Sequence, residues 1–139
     1  MSVGEFTILR PSDIPSRARG GGVKTIPLVT RQIGATGFIN GITIFPPGGS
    51  VELHKHNCEE SVVLLEGRAI VELGDREHVV ETGDVTFIPQ GVPHRFRNAS
   101  ELDEMKILWT YVSPAADRTI LATGETRLIE AEHRAPVAD

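Results

Sequence analysis

Short runs of apolar residues alternate with turn-forming residues over most of the chain. Between positions 38 and 112, each run of about five to eight residues is rich in β-branched or aromatic side chains and ends at Gly, Pro, Asp or Asn. This pattern predicts antiparallel β-strands over residues 38–45, 50–56, 61–65, 68–73, 77–81, 84–88, 94–97 and 105–113. Weaker runs predict two less regular strands at 7–9 and 24–32.

The sequence does not show the periodicity of a long helix. No window repeats apolar residues at the i, i+3, i+4 and i+7 spacing together with the caps that begin and end a helix. Gly74, Asp75 and Arg76 form a turn-prone segment that predicts a hairpin between 68–73 and 77–81. We expect a short helical turn or loop over 12–22 and a short docked segment or frayed terminus over 128–139. The pattern predicts an all-β sandwich or barrel.

Composition sets limits on size, partners and compartment. A chain of 139 residues with 40% hydrophobic residues has the size and core of one domain. Its formal net charge is -5 and its Lys and Arg residues form no dense patch, so we expect neither nucleic acid nor a membrane as a partner. No signal-peptide pattern or bilayer-length apolar stretch is present, and the one cysteine, Cys58, permits no internal disulfide. These features favour a cytoplasmic protein.

Candidate metal ligands are grouped on one predicted strand. His54 and His56 are two residues apart, so their side chains project from the same face of a strand and can bind a single ion. Glu60 follows after a brief irregular segment and adds a carboxylate. His94 is distant in sequence, but a closed barrel can bring it opposite the first two histidines.

Two spaced motifs connect these residues with turn residues over 48–98. The first motif has the form Gly, five residues, His-X-His, three or four residues, Glu, six residues, Gly, and it is filled by Gly48, His54, His56, Glu60 and Gly67. The second has the form Gly, five residues, Pro-X-Gly, two residues, His, three residues, Asn, and it is filled by Gly83, Pro89, Gly91, His94 and Asn98. With every fixed position matched, the sequence resembles the cupin superfamily.

The resemblance implies a single-domain cupin over 1–139, a double-stranded β-helix or jelly-roll barrel with little helix. Its motif core is 48–98, with flanking strands and a loop over 1–37 and a tail over 128–139. It implies one divalent transition metal ion bound by His54, His56, Glu60 and His94, with about two coordination positions left for water, dioxygen or substrate. Ligand type alone does not choose among Fe, Mn, Ni, Zn and Cu. Small cupins often associate, so we expect a homodimer that binds a small molecule.

Several residues offer alternatives to this ligand set. One alternative is that the histidines are ordinary strand residues, and Glu59 is a rival carboxylate that would break the motif spacing. Cys58 lies between proposed ligands, where thiolate ligation is conceivable, but an inert, partly buried loop thiol is the preferred interpretation. His78 and His133 match no ligand spacing and are expected at the surface.

Strand alternation predicts the surroundings of the ion. Ile107, Trp109 and Tyr111 share one face of their strand, and Phe96 shares the face of His94, so these four are candidate pocket residues, although core packing alone would also explain them. Lys55, Arg95 and Arg97 have the opposite parity and should point away. No cation is therefore expected inside the pocket unless Arg31 faces inward. Glu60 and Tyr111 are the candidate catalytic residues for proton transfer.

Three functional hypotheses follow. The first is a metalloenzyme, with an oxidoreductase of dioxygenase type acting on a small oxygen-bearing metabolite as its leading form, and an isomerase, decarboxylase or lyase as alternatives that the same ligands allow. The second is a binding module for a metal or metabolite without turnover. The third is a metal-free sugar epimerase, which the complete set of four ligands disfavours.

Overall fold

The computed structural model describes residues 5–133. Within this range the chain forms two six-stranded antiparallel sheets of a jelly-roll fold. In chain order the strands are β1 (Arg17–Gly20), β2 (Val23–Pro27), β3 (Ile39–Phe45), β4 (His54–Lys55), β5 (Glu60–Glu66), β6 (Arg68–Leu73), β7 (Arg76–Glu81), β8 (Val85–Ile88), β9 (His94–Asn98), β10 (Met105–Tyr111), β11 (Asp117–Ile120) and β12 (Thr126–Leu128). A four-residue helix, α1 (Ile129–Glu132), follows β12.

The strand order explains how distant histidines meet. One sheet has the order β1-β2-β3-β10-β5-β8 and the other β12-β11-β4-β9-β6-β7. Because β4 and β9 are neighbours, His54 lies directly opposite His94 in the ladder. The fold therefore brings the two halves of the predicted ligand set together.

Period-2 burial places the core between the sheets. Alternate residues of β3 and β10 are buried, as expected for strands with one face on a core. Gly41 on β3 leaves space for the Trp109 ring of β10, since a Cβ atom at this position would lie 2.5 Å from Trp109 Cζ2. The core cluster includes Phe45, Leu64 and Met105, each at most 1% exposed.

The predicted strand at 50–56 is wrong over most of its length. Only His54–Lys55 is paired as a strand, and Ser50 makes one isolated bridge to Arg97. The carbonyl of Glu52 accepts a hydrogen bond from the His54 side chain, and that of Leu53 accepts one from the Leu121 N–H. These local bonds replace a regular ladder just before the histidines.

The ends of the chain also differ from the prediction. Residues 7–9 form no strand, and the strand predicted at 24–32 is β2, which ends at Pro27 and is followed by a 3₁₀ turn (Arg31–Ile33). The segment 12–22 contains the end of a 3₁₀ turn (Pro11–Asp13) and then β1. The predicted tail begins at the end of β12 and continues into α1, and its residues 134–139 lie outside the described range.

Strands β11 and β12 were missed. They have four and three residues, too few to show an alternating pattern on their own. The strand predicted at 105–113 ends at Tyr111. In the described part of the chain, no helix is long and apolar enough to cross a membrane.

Candidate metal centre

Three imidazole rings converge inside the barrel. His54, His56 and His94 are 5%, 4% and 2% exposed, and one ring nitrogen from each lies within 4.8 Å of the others. Their ring centroids are 4.5 to 5.0 Å apart. Among the described residues, these three form a group that could bind a metal ion.

The backbone fixes the orientation of all three rings. The Nδ1 atoms lie 2.6 Å from the carbonyl oxygen of Glu52 for His54, 2.7 Å from that of Asp117 for His56, and 2.8 Å from that of Val92 for His94. A carbonyl only accepts hydrogen bonds, so each Nδ1 carries the proton and donates. Each neutral ring therefore has its lone pair on Nε2, as a metal ligand requires.

Glu60 completes the cluster with a carboxylate. Its Oε1 lies 3.0 Å from His94 Nε2 and 3.3 Å from His56 Nε2. The second contact lacks hydrogen-bond alignment, so the buried His56 Nε2 has no hydrogen-bond partner within residues 5–133. Two acceptors at this separation require a cation between them, either a proton or a metal ion. The donor set thus fits a divalent metal ion with nitrogen and oxygen ligands.

Burial and mutual contacts shift the ionisation of the cluster. Burial and the two neighbouring imidazoles lower the pKa of His54 to about 3, so this ring is neutral at pH 7. Burial alone would raise the pKa of Glu60, but the close contacts with His56 and His94 outweigh it and lower the pKa to about 2. Burial would lower the pKa of His56, and contact with Glu60 reverses this and raises it. Without metal, His56 and Glu60 therefore share an ion-pair-like contact.

The alternative ligands are not gathered at the cluster. Glu59 is exposed, whereas Glu60 is buried, and His78 is exposed on β7 as expected. Cys58 is a buried loop thiol whose pKa is raised by burial, which disfavours the thiolate. The prediction of a surface position for His133 is wrong: its ring stacks on Trp109 with centroids 5.9 Å apart, because α1 folds the chain back over this part of the barrel.

A small chamber adjoins the imidazoles. It has a volume of about 20 Å³, close to the space of one water molecule, and its apolar lining comes from the core face of the barrel. The candidate pocket residues Phe96, Ile107, Trp109 and Tyr111 all line it, together with Phe45 and Val51. Their contact with a substrate stays a prediction.

Tyr111 lies beside the acidic member of the cluster. It pairs with Glu60 across β5 and β10, and its ring centroid is 4.5 Å from that of His56. Burial, followed by the negative charge of Glu60, raises the pKa of Tyr111 well above its ordinary value. At neutral pH Tyr111 is therefore a phenol that can donate a proton or hydrogen bond, not a phenolate base.

The predicted outward cations do point away from the chamber. Arg95 Nε lies 2.9 Å from a carboxylate oxygen of Glu72, and Lys55 is exposed. Arg31 does not face inward: its side chain is 56% exposed and lies 3.6 Å from Glu130.

Two arginines that the sequence did not single out line the chamber instead. Arg19 on β1 and Arg118 on β11 both border it. They also border an open groove of about 810 Å³ outside the barrel mouth. Arg17 and Arg19 alternate along the sequence, which could have indicated that both point to one side of a strand. However, β1 and β11 are too short to be recognised as strands from the sequence, so the direction of their side chains was not predictable.

Comparison with known proteins agrees with the fold and the motifs. The family model described as a cupin domain matches residues 41–111. Protein SchB of Streptomyces halstedii is 33% identical over 123 residues, which cover 88% of this chain and 86% of SchB. Polyketide synthase CurC of Streptomyces cyaneus is 33% identical over 113 residues, covering 81% of this chain and 71% of CurC. The solved polyketide cyclase RemF of Streptomyces resistomycificus has a TM-score of 0.72 at 23% identity, covering 90% of this chain and 86% of RemF.

Proposed function

Because this chain belongs to the cupin family, we propose that it is a metal-dependent enzyme that closes a ring in a polyketide-like substrate, a chain with carbonyl groups on alternate carbons. The observation that carries the metal-dependent part is the convergence of three oriented Nε2 atoms beside a buried carboxylate. The relative CurC is named for polyketide synthesis, and this supports the substrate class. Ring closure with loss of water changes no oxidation state, so the proposed reaction falls among the lyase and isomerase alternatives and not the dioxygenase form.

The ligands in this proposal are the Nε2 atoms of His54, His56 and His94 and the carboxylate of Glu60. A divalent transition metal ion bound there would act as a Lewis acid that polarises a substrate carbonyl. Iron, manganese, nickel, zinc and copper all suit imidazole and carboxylate ligands, so this ligand set accepts any of these metals.

Glu60 and Tyr111 have complementary roles in proton transfer. The ionised Glu60 accepts a proton from the carbon between two carbonyl groups. The resulting carbanion attacks a second carbonyl of the same chain, and a carbon–carbon bond forms. The phenol of Tyr111 protonates the oxygen that gains charge, and loss of water follows. This sequence consumes no oxidant.

The two cavities suit a long substrate of which only one end enters the chamber. A chamber of about 20 Å³ holds no more than a reacting carbonyl, while the groove of about 810 Å³ is large enough for the remainder of a polyketide-sized molecule. The aromatic wall of Trp109 and Phe96 excludes water from the reacting end, which protects the carbanion from random protonation.

A 3,5,7-trioxo thioester, in which the carbon between C1 and C3 can attack the C7 carbonyl and close a six-membered ring, tests the reaction with iron-, manganese-, nickel- and zinc-loaded protein, with and without oxygen. We expect a cyclic product lighter by one water, formed equally without oxygen. Tyr111→Phe should keep the metal and lower the rate about 100-fold, the scale of one general acid. Oxygen uptake with an oxygenated product would support the dioxygenase instead. Substrate binding without conversion by any metal form would support the binding module.

We also propose that the protein forms a homodimer through the edge strand β8. Val85 and Phe87 are 64% and 60% exposed on this edge, and an uncovered apolar edge favours association. Light scattering after a sizing column should give twice the chain mass, and Phe87→Lys should give one chain mass. A monomeric wild type would contradict the proposal.

A further inference from the structure

Two guanidinium groups that are largely shielded from solvent lie between the chamber and the groove. The side chains of Arg19 and Arg118 are 12% and 9% exposed, and both border the two cavities. Arg19 Nη1 donates to Thr25 Oγ1, which contacts Thr43 Oγ1, and Trp109 Nε1 donates to the same Thr43 oxygen. This network holds Arg19 against the face that carries the chamber residue Trp109.

A carboxylate from helix α1 pairs with both guanidinium groups. Glu132 Oε2 lies 2.5 Å from Arg118 Nη1 and 3.6 Å from Arg19 Nη2. Glu132 belongs to α1, and it borders the groove but not the chamber. The contact therefore comes from the groove side, in the direction from which a substrate would approach.

The charges of Arg19, Arg118 and Glu132 do not balance one another. In the described part of the chain, the buried Arg118 and the half-buried Arg19 both face one carboxylate, that of Glu132, and the buried Nε of Arg118 has no hydrogen-bond partner. An incompletely paired buried guanidinium has a strong tendency to bind an anion. Burial also raises the pKa of Glu132 in spite of the nearby Arg19, so this carboxylate is not in an ideal site for its charge.

We propose that Arg19 and Arg118 bind a carboxylate group of the substrate, and that Glu132 occupies this position until the substrate displaces it. The inference rests on the proposed function, because it places an acidic group of the polyketide-like substrate at the barrel mouth while a carbonyl reaches the histidines.

A matched pair of small ligands tests the charge preference without metal or turnover. Acetoacetate carries the carboxylate, and methyl acetoacetate is its uncharged analogue. Binding to the metal-free protein is followed by the fluorescence of Trp109, the one tryptophan in the sequence, and by NMR chemical shifts. Wild type should bind acetoacetate weakly, and Glu132→Gln should bind it at least tenfold more tightly because the internal competitor is gone. Binding of the ester should not change.

Variants of arginine separate the site from the general charge of the groove. Arg118→Gln and Arg19→Gln should each weaken acetoacetate binding about tenfold in the Glu132→Gln background. Arg127→Gln is the matched control, since this arginine borders the same groove but is 71% exposed and pairs with Glu125. Circular dichroism and melting curves check the folding of every variant. Glu132→Gln is nearly isosteric, so we expect it to fold. Its affinity for acetoacetate relative to the ester therefore tests the proposal even if an Arg118 variant does not fold.

The result that would overturn the inference is an unchanged ratio of acetoacetate to ester affinity in Glu132→Gln, or equal losses in Arg127→Gln and the two other arginine variants. A failed cyclisation assay with intact acetoacetate preference would remove the proposed reaction and leave the arginine site. Cyclisation without any charge preference would remove only the arginine site.

Discussion

The imidazole Nδ1 of His56 lies 2.7 Å from the backbone carbonyl oxygen of Asp117, a residue 61 positions later in the chain. The backbone at the start of β11 therefore sets the tautomer and the ring orientation of His56, a candidate metal ligand that is distant in the sequence. Asn57 holds this carbonyl in place, since its Oδ1 accepts from the Asp117 N–H and its Nδ2 donates to the Ala115 carbonyl.

Asn57→Ala should weaken metal binding without removing any ligand. Loss of a group that supports a metal ligand typically costs about 10- to 100-fold in affinity. We expect a loss near tenfold, because His56 keeps its ring but its partner carbonyl becomes mobile. Competition with a chelator gives the dissociation constant. Lys55→Ala, on the outward face of β4, is the control and should leave it unchanged. Equal affinities for wild type and Asn57→Ala would contradict this role.

The last residue of the second motif is a structural residue. The Asn98 amide lies 3.3, 3.0 and 2.7 Å from the carbonyl oxygens of Phe45, Pro46 and Asp103, and its Oδ1 accepts from the Ser100 N–H. Asn98→Ala leaves buried carbonyls unpaired, so we expect the free energy of unfolding to fall by about 3 kcal/mol. Urea denaturation measures it. A loss below about 1 kcal/mol would show that these bonds matter little.

Gly41 is required by the ring that it faces. A Cβ atom at this position would lie 2.5 Å from Trp109 Cζ2 and 2.7 Å from the Ile26 carbonyl oxygen. Gly41→Ala should lower the free energy of unfolding by about 1–3 kcal/mol, as overpacking does, and should shift the Trp109 emission. Gly37→Ala is the control, since nothing lies within 4 Å of a Cβ atom there. Equal melting temperatures for the two variants would refute the packing argument.

The metal-free protein should lose stability in mild acid through His54. The folded-state pKa of this ring is about 3 and its ordinary value is 6.5, so between these pH values the unfolded chain holds the extra proton. Stability therefore rises with pH across this window, by up to about 1.4 kcal/mol per pH unit for one proton. In His54→Gln, denaturation at pH 4 to 6.5 should show a shallower slope. An identical slope would place the titration elsewhere.

The sequence predicted the features of this protein that follow a local alternation of residues or a fixed motif spacing. Alternation located most strands of the barrel, and the spacing of His54, His56, Glu60 and His94 indicated residues that the structure brings together. It did not indicate Arg19 or Arg118, because their strands have only four residues each and show no period of their own. Their position depends on ladder pairing with distant segments, which a local pattern does not encode.

The interpretation of His133 failed for a similar reason. Its packing on Trp109 depends on α1 turning back over the barrel, and the sequence near it carries only a helix of four residues. Glu132, next to it, reaches the two arginines by the same turn. Contacts made by short terminal segments are decided by tertiary packing.

Metal content, measured by mass spectrometry on purified protein reconstituted separately with iron, manganese, nickel and zinc, decides whether His54, His56, Glu60 and His94 bind an ion. We expect about one ion per chain in wild type and in the control His78→Ala, whose ring is exposed on β7. We expect His56→Ala and Glu60→Gln to lose most of the metal, with circular dichroism unchanged. A wild type that binds none of the four metals, or a folded His56→Ala protein that keeps the full metal content, would contradict it.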